Sequence, residues 1–162
     1  MPDLVTVSKS LSASGLPMSI LLMKPEVDVW EPGAHTGTFR GNNLAFVTAA
    51  KALELYWSND DFAAEVRRKH DVLKTRLSAL ATDFPAAEFE VRGRGLMMGI
   101  ASVKMPELAG QVSAAAFQRG LIIETSGAKD EVLKFLPSLT ITDEELEHGL
   151  AIVRECLEEL VK

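Results

Sequence analysis

The sequence predicts two architectures in one chain: an α/β segment over residues 1–57 and a self-contained α+β unit over residues 58–162. Two short apolar runs, a long loop and an alanine-rich helix predict the first. The order helix, strand pair, helix, strand pair, helix predicts the second. Composition fits both: 47% hydrophobic and 25% charged residues over 162 positions exclude disordered, collagen-like and disulfide-scaffold chains.

Pro2 to Val7 is short and β-branched and runs into Ser8-Lys9-Ser10, which reads as a buried strand ending in a polar loop. Leu16 to Met23 is a second strand-like run between Gly15 and Lys24-Pro25. Residues 31–43 are rich in Gly, Thr and Asn; with Trp30 and Phe39 to bury, they read as an ordered loop and not a linker. Leu44 to Trp57 predicts a helix of small and apolar residues. A fresh helix start at Ser58-Asn59-Asp60-Asp61 leads into Phe62, Val66, Leu73, Leu77 and Leu80 at helical intervals, with Arg67, Arg68 and Lys69 facing away. Phe84-Pro85 ends that helix. Glu88–Val91 and Leu96–Val103 form a strand pair around Arg92-Gly93-Arg94-Gly95, whose glycines hairpin geometry explains without a ligand. Pro106 opens a helix that Gly120 closes, Leu121–Glu124 and Val132–Phe135 form a second strand pair, and Thr142 with Glu145 makes a capping box. The last helix carries the stripe Leu146, Leu150, Val153, Leu157 and Leu160.

The formal net charge is −6, yet seven acidic and two basic residues between Asp143 and Lys162 account for −5 of it. The acidity therefore belongs to one helix face, and it argues against broad nucleic-acid binding. Cys156 is the single cysteine and has no histidine at metal-ligand spacing; His35, His70 and His148 are mutually distant, so no metal site is expected. No apolar run reaches membrane-spanning length and the start of the chain shows no signal-type core, so the expectation is a soluble, unexported, cytoplasmic protein without a membrane partner.

Two places carry chemistry. Lys9 ends an apolar strand between two serines, and a lysine amine held against a mostly desolvated wall is a usable nucleophile for an aldehyde or ketone. A plain loop lysine is the alternative. The run His35-Thr36-Gly37-Thr38-Phe39-Arg40-Gly41-Asn42-Asn43 puts hydroxyls and backbone N–H donors ahead of a helix, the chemistry that holds a phosphate.

Pro2-Asp3-Leu4-Val5-Thr6-Val7-Ser8-Lys9-Ser10 followed by His35-Thr36-Gly37-Thr38-Phe39 resembles the class III aminotransferases, pyridoxal-phosphate enzymes of fold type I. The resemblance spans essentially the whole chain. It implies the C-terminal part of a fold type I transferase, with residues 1–57 as the edge of the large cofactor-binding domain and 58–162 as the small C-terminal domain. It also implies that Lys9 is the catalytic lysine carrying pyridoxal 5'-phosphate, and that Gly37 and Thr38 bind the cofactor phosphate. Thr38 would act across the interface of a homodimer or a multiple of dimers. Arg40 and Asn43 depart from the common pattern, and Gly37-Thr38-Phe39-Arg40-Gly41-Asn42-Asn43-Leu44-Ala45 resembles the subgroup that makes 2,4-diaminobutyrate in ectoine biosynthesis. That subgroup implies glutamate as amino donor, aspartate 4-semialdehyde as acceptor and 2-oxoglutarate as by-product. The alternatives are another ω-aminotransferase, of a different diaminobutyrate pathway or of the ornithine or 4-aminobutyrate type, and a truncated non-catalytic dimerisation module.

Two cations are candidates for substrate carboxylates. Arg40 lies in the cofactor loop, and Lys134 stands where many members of the family carry an arginine, although a lysine cannot grip a carboxylate as a bidentate fork. Asp130-Glu131-Val132 resembles the family's aspartate motif for the pyridine nitrogen but lies after Lys9 and lacks the glutamine, so it is a decoy. The family places the true motif, the in-subunit phosphate loop and the ring-stacking aromatic before Lys9. The expectation is that this chain alone has little or no transaminase activity.

Overall fold

The computed structural model describes residues 2–38 and 40–161. Phe39, expected to anchor the loop, lies outside them. The chain divides into two compact units, Met1–Phe62 and Ala63–Lys162.

In the first unit, β1 (Leu4–Ser8) and β2 (Ser19–Met23) pair antiparallel, with Val5 opposite Leu22 and Val7 opposite Ile20. The Lys24 ammonium closes the open end of the ribbon on Asp3 at 2.6 Å. β1 is not the buried strand that its apolar sequence predicts: Leu4 is 54% and Val5 39% exposed. A two-stranded ribbon has neither a third strand nor a packed layer to cover its faces. After a 3-10 turn at Lys9–Ser12, the chain returns through β2 and a long loop to α1 (Asn43–Tyr56). Asn42 caps α1, its side-chain oxygen accepting from Leu44 N and Ala45 N. Only Ala45 and Ala49 of α1 are buried, while Leu44, Val47, Leu53 and Leu55 stay exposed.

α2 (Asp61–Asp83) starts where the Asn59 side chain accepts from the Asp61 N–H at 3.0 Å. The second unit then adds β3 (Phe89–Arg94), β4 (Met97–Ser102), α3 (Leu108–Gln118), β5 (Glu124–Ser126), β6 (Val132–Phe135) and α4 (Asp143–Leu160). The two strand pairs expected from the sequence fuse into one antiparallel sheet of order β3-β4-β6-β5. β5 begins only at Glu124, so Leu121–Ile123 are not strand. Helices and sheet share one core, including Leu73 and Leu77 of α2, Val112 of α3, Ile100 and Leu133 of the sheet, and Val153 and Leu157 of α4.

Two glycines let the sheet form. Gly93 has φ +129, and a Cβ there would sit 2.2 Å from the Met97 carbonyl; a Cβ on Gly99 would meet Val132 at 2.6 Å. The capping box is complete, Thr142 accepting from Glu145 N and Glu145 accepting from Thr142 N. Those backbone and hydroxyl donors hold the Glu145 carboxyl below the usual range.

Lys69 corrects the expected polar face of α2. It is buried, its amine donating to the Leu139 carbonyl at 3.3 Å and standing 3.7 Å from Glu65. The acidic helix face is likewise less free than its composition suggests. Asp143 is paired with Arg68, Glu147 with Arg76 and Glu159 with Arg119, so α4 is stitched to α2 and α3 through much of its negative charge. Cys156 is fully buried, and desolvation pushes its thiol up.

Candidate active site

β1 and the turn after it place Lys9. Ser8 is extended (φ −155), and Lys9 then reverses to φ 61, in the left-handed region. A residue with a Cβ occupies that region at a cost of about 1–2 kcal/mol. Strain of this kind collects at functional positions, and Lys9 is where the sequence put the chemistry. Ser10 takes the next step of the turn, its carbonyl accepting from Ala13 N at 2.9 Å. Ser12, on the same turn, is fully buried, with its hydroxyl unpartnered among the described residues.

The loop before α1 places Thr38. Arg40 N donates to the Gly37 carbonyl at 3.0 Å, closing a tight turn with Thr38 inside it. The Arg40 guanidinium also donates through Nη1 to the His35 carbonyl. The rings of Trp30 and His35 meet at 5.6 Å between centroids, tilted by 53°. Gly41 at φ +92 then releases the chain into the Asn42 cap. The cap and the turn are thus joined by a single left-handed glycine.

Lys9, Gly37, Thr38 and Arg40 line one open concavity of about 1650 Å³ in the first unit, together with Ser8, Ser10 and Trp30. An amine, several hydroxyls and loop peptides are the donor set that an aldehyde bearing a phosphate requires. In kind, an amine for an aldehyde and hydroxyl and peptide donors for a phosphate fit pyridoxal phosphate. The desolvating wall expected around Lys9 is not built by the described residues, which leave Lys9 exposed. Gly37 needs no special freedom: a Cβ there would meet only the Arg40 Cβ, at 3.7 Å.

Lys134, the other candidate for a substrate carboxylate, belongs to the second unit. It faces Glu124 directly across the β5–β6 pair, 2.7 Å away, and its side chain is 27% exposed. The lysine holds Glu124 below the usual carboxylate range. A concavity of about 310 Å³ opens beside this pair, lined mainly by apolar groups such as Leu121, Phe135 and Leu150. With its ammonium already matched by a carboxylate, Lys134 serves first as a cross-strand partner. Asp130 sits at φ 57 in the β5–β6 connection, its carboxylate 3.3 Å from Thr125 Oγ1, a local role in keeping with the decoy reading.

Sequence reasoning missed the Trp30–His35 contact and the Arg40–His35 brace. An arginine five residues after a histidine, with one glycine between, signals a loop closed on itself only once the backbone path is known. Among the described residues no cluster of His, Cys, Asp or Glu could hold a metal, and no helix is long and apolar enough to cross a membrane.

This arrangement is that of a known family: residues 1–157 match the class-III aminotransferases, and the chain belongs to that family. Class-III aminotransferases are pyridoxal-phosphate enzymes. Among curated proteins, the diaminobutyrate–2-oxoglutarate transaminase of Bordetella parapertussis is 60% identical over 152 residues, covering 94% of this chain and 35% of that protein. The enzyme of the same name from Halalkalibacterium halodurans is 50% identical over 161 residues, covering 99% and 37%. Among solved structures, N-acetylornithine aminotransferase of Stenotrophomonas maltophilia superposes with a TM-score of 0.80 at 33% identity, over 99% of this chain and 41% of that one. Ornithine aminotransferase of Toxoplasma gondii, with partial occupancy of pyridoxal phosphate, superposes at 0.84 and 29% identity, over 98% and 37%. The chain thus spans little more than a third of the length of the curated relatives it matches.

Proposed function

We propose that this chain is the part of a diaminobutyrate–2-oxoglutarate transaminase that carries the catalytic lysine and the small domain. The observation that carries the reading is Lys9, held at a left-handed φ of 61 at the end of β1 and exposed on an open concavity of its own unit. The 60% identity to a transaminase of that name supports the substrate class. Glutamate is the proposed donor and aspartate 4-semialdehyde the proposed acceptor, with ectoine biosynthesis as the setting and the cytoplasm as the compartment. Bound pyridoxal phosphate supplies the electron sink. Lys9 holds the cofactor through its amine and, once freed, moves the proton at the substrate carbon that bears the nitrogen. Gly37 and Thr38 supply the loop that receives the phosphate, with Thr38 serving the cofactor of the partner subunit in a homodimer or a multiple of dimers. Residues 1–57 act as the edge of the large domain and 58–162 as the small one.

The exposure of Lys9 supports the companion proposal that these 162 residues alone turn over little or no substrate. Borohydride reduction of the protein in the presence of pyridoxal phosphate, followed by peptide mapping, tests the assignment. The expected label is on Lys9. Labelling of Lys9 no stronger than that of Lys51 or Lys74 would overturn it.

A further inference from the structure

Arg40 looks from the sequence like an anchor for an anionic substrate, but its hydrogen bonds give it another occupation. Its backbone N–H donates to the Gly37 carbonyl at 3.0 Å, and its guanidinium reaches back to the His35 carbonyl. Both bonds close the same short stretch, and Thr38 lies between the two acceptors and Arg40. The stretch has one further hold on its flank, the Trp30–His35 ring contact. The one side-chain bond of Arg40 among the described residues is made by Nη1 to the loop itself, which ties the guanidinium to the backbone on the N-terminal side of Thr38.

We propose that Arg40 is a positioning residue, which braces the His35–Arg40 turn so that Thr38 is held ready for the cofactor phosphate. The proposal rests on the reading of Lys9 and Thr38 given above. It differs from the anchor role in two consequences. The first concerns the ligand: a brace on the Thr38 turn acts on the phosphate of the cofactor, so it affects pyridoxal phosphate and leaves pyridoxal, which lacks the phosphate, almost untouched. The second concerns substitution. A lysine at position 40 still offers one donor to the His35 carbonyl, so Arg40→Lys rescues a brace, whereas it does not rescue a bidentate grip on a carboxylate.

The test is an absorbance titration of the protein with pyridoxal phosphate and with pyridoxal, for wild type, Arg40→Ala, Arg40→Lys, Thr38→Val and the Arg40→Ala/Thr38→Val pair. Arg40→Ala is expected to weaken pyridoxal phosphate about tenfold, and pyridoxal by less than about twofold. Arg40→Lys should recover most of that loss. The double variant should bind little worse than Thr38→Val, because the two residues act on one contact. An Arg40→Ala protein with unchanged affinity for pyridoxal phosphate overturns the brace. Equal weakening of both ligands also overturns it. A wild-type protein that does not prefer pyridoxal phosphate to pyridoxal overturns instead the underlying cofactor reading, and the brace with it.

Discussion

Replacing Ser102 by alanine should destabilise the second unit out of proportion to the single oxygen removed. Ser102 ends β4 and is 5% exposed. Its hydroxyl donates to the Ala87 carbonyl at 2.6 Å and accepts from Met105 N at 2.9 Å, tying the turn after α2 and the approach to α3 to the central strand. Each such bond is worth about 1 kcal/mol net. The larger contribution is what stays behind: Ala87 is fully buried, so its carbonyl is left without a partner and without water. A stranded buried group costs about 1–3 kcal/mol, whereas half-buried Met105 has solvent to turn to. The sum for Ser102→Ala is about 2–3 kcal/mol. Urea denaturation followed by far-UV circular dichroism reads it as a lower midpoint with an unchanged slope. In a thermal scan of a unit of this size the same loss is a drop of about 10–15 °C. A variant within about 0.5 kcal/mol of wild type would show that the hydroxyl bridges nothing of value, and the account of this corner of the core would fall.

The β3–β4 hairpin makes a contrast within three residues, Gly93 lying in the strand and Gly95 in the turn. Gly93→Ala combines a φ of +129 with a Cβ 2.2 Å from the Met97 carbonyl and should cost more than about 3 kcal/mol, whereas Gly95→Asn, at φ +59 with open space around it, should be nearly neutral in the same melt. At the start of α4 the prediction concerns acid. Glu145 titrates lower in the fold than its ordinary value of 4.5, so its contribution is present above that value and is lost as pH falls through the lower, folded one. Melting temperature measured across pH 3–6 should fall on the acid side, and Glu145→Gln should flatten that limb; an unaltered limb would mean that the cap does not feel the charge.

Much of this protein was legible in the sequence because its signals are local. The stripe Leu146, Leu150, Val153 and Leu157 repeats at helical spacing, and all four are buried. Thr142 with Glu145 marks a helix start by side-chain chemistry alone, and Gly95 marks the β3–β4 turn by its freedom at positive φ. The family was legible for a different reason, since the runs around Lys9 and Thr38 are contiguous and their residue type and order carry the meaning. The family therefore followed from the chain as written.

What the sequence could not decide is whatever depends on who stands opposite. Whether Lys134 is a free cation turns on the register that sets it across from Glu124, and register is a property of two strands. Whether Lys69 faces water turns on the Leu139 carbonyl, seventy residues away. Whether Arg40 grips a substrate or its own loop turns on a backbone path that brings the His35 carbonyl within reach of its guanidinium. The β1–β2 ribbon makes the same point from the other side: its apolar pattern specifies a strand to be covered, and only a packed neighbour, never the pattern, can bury it.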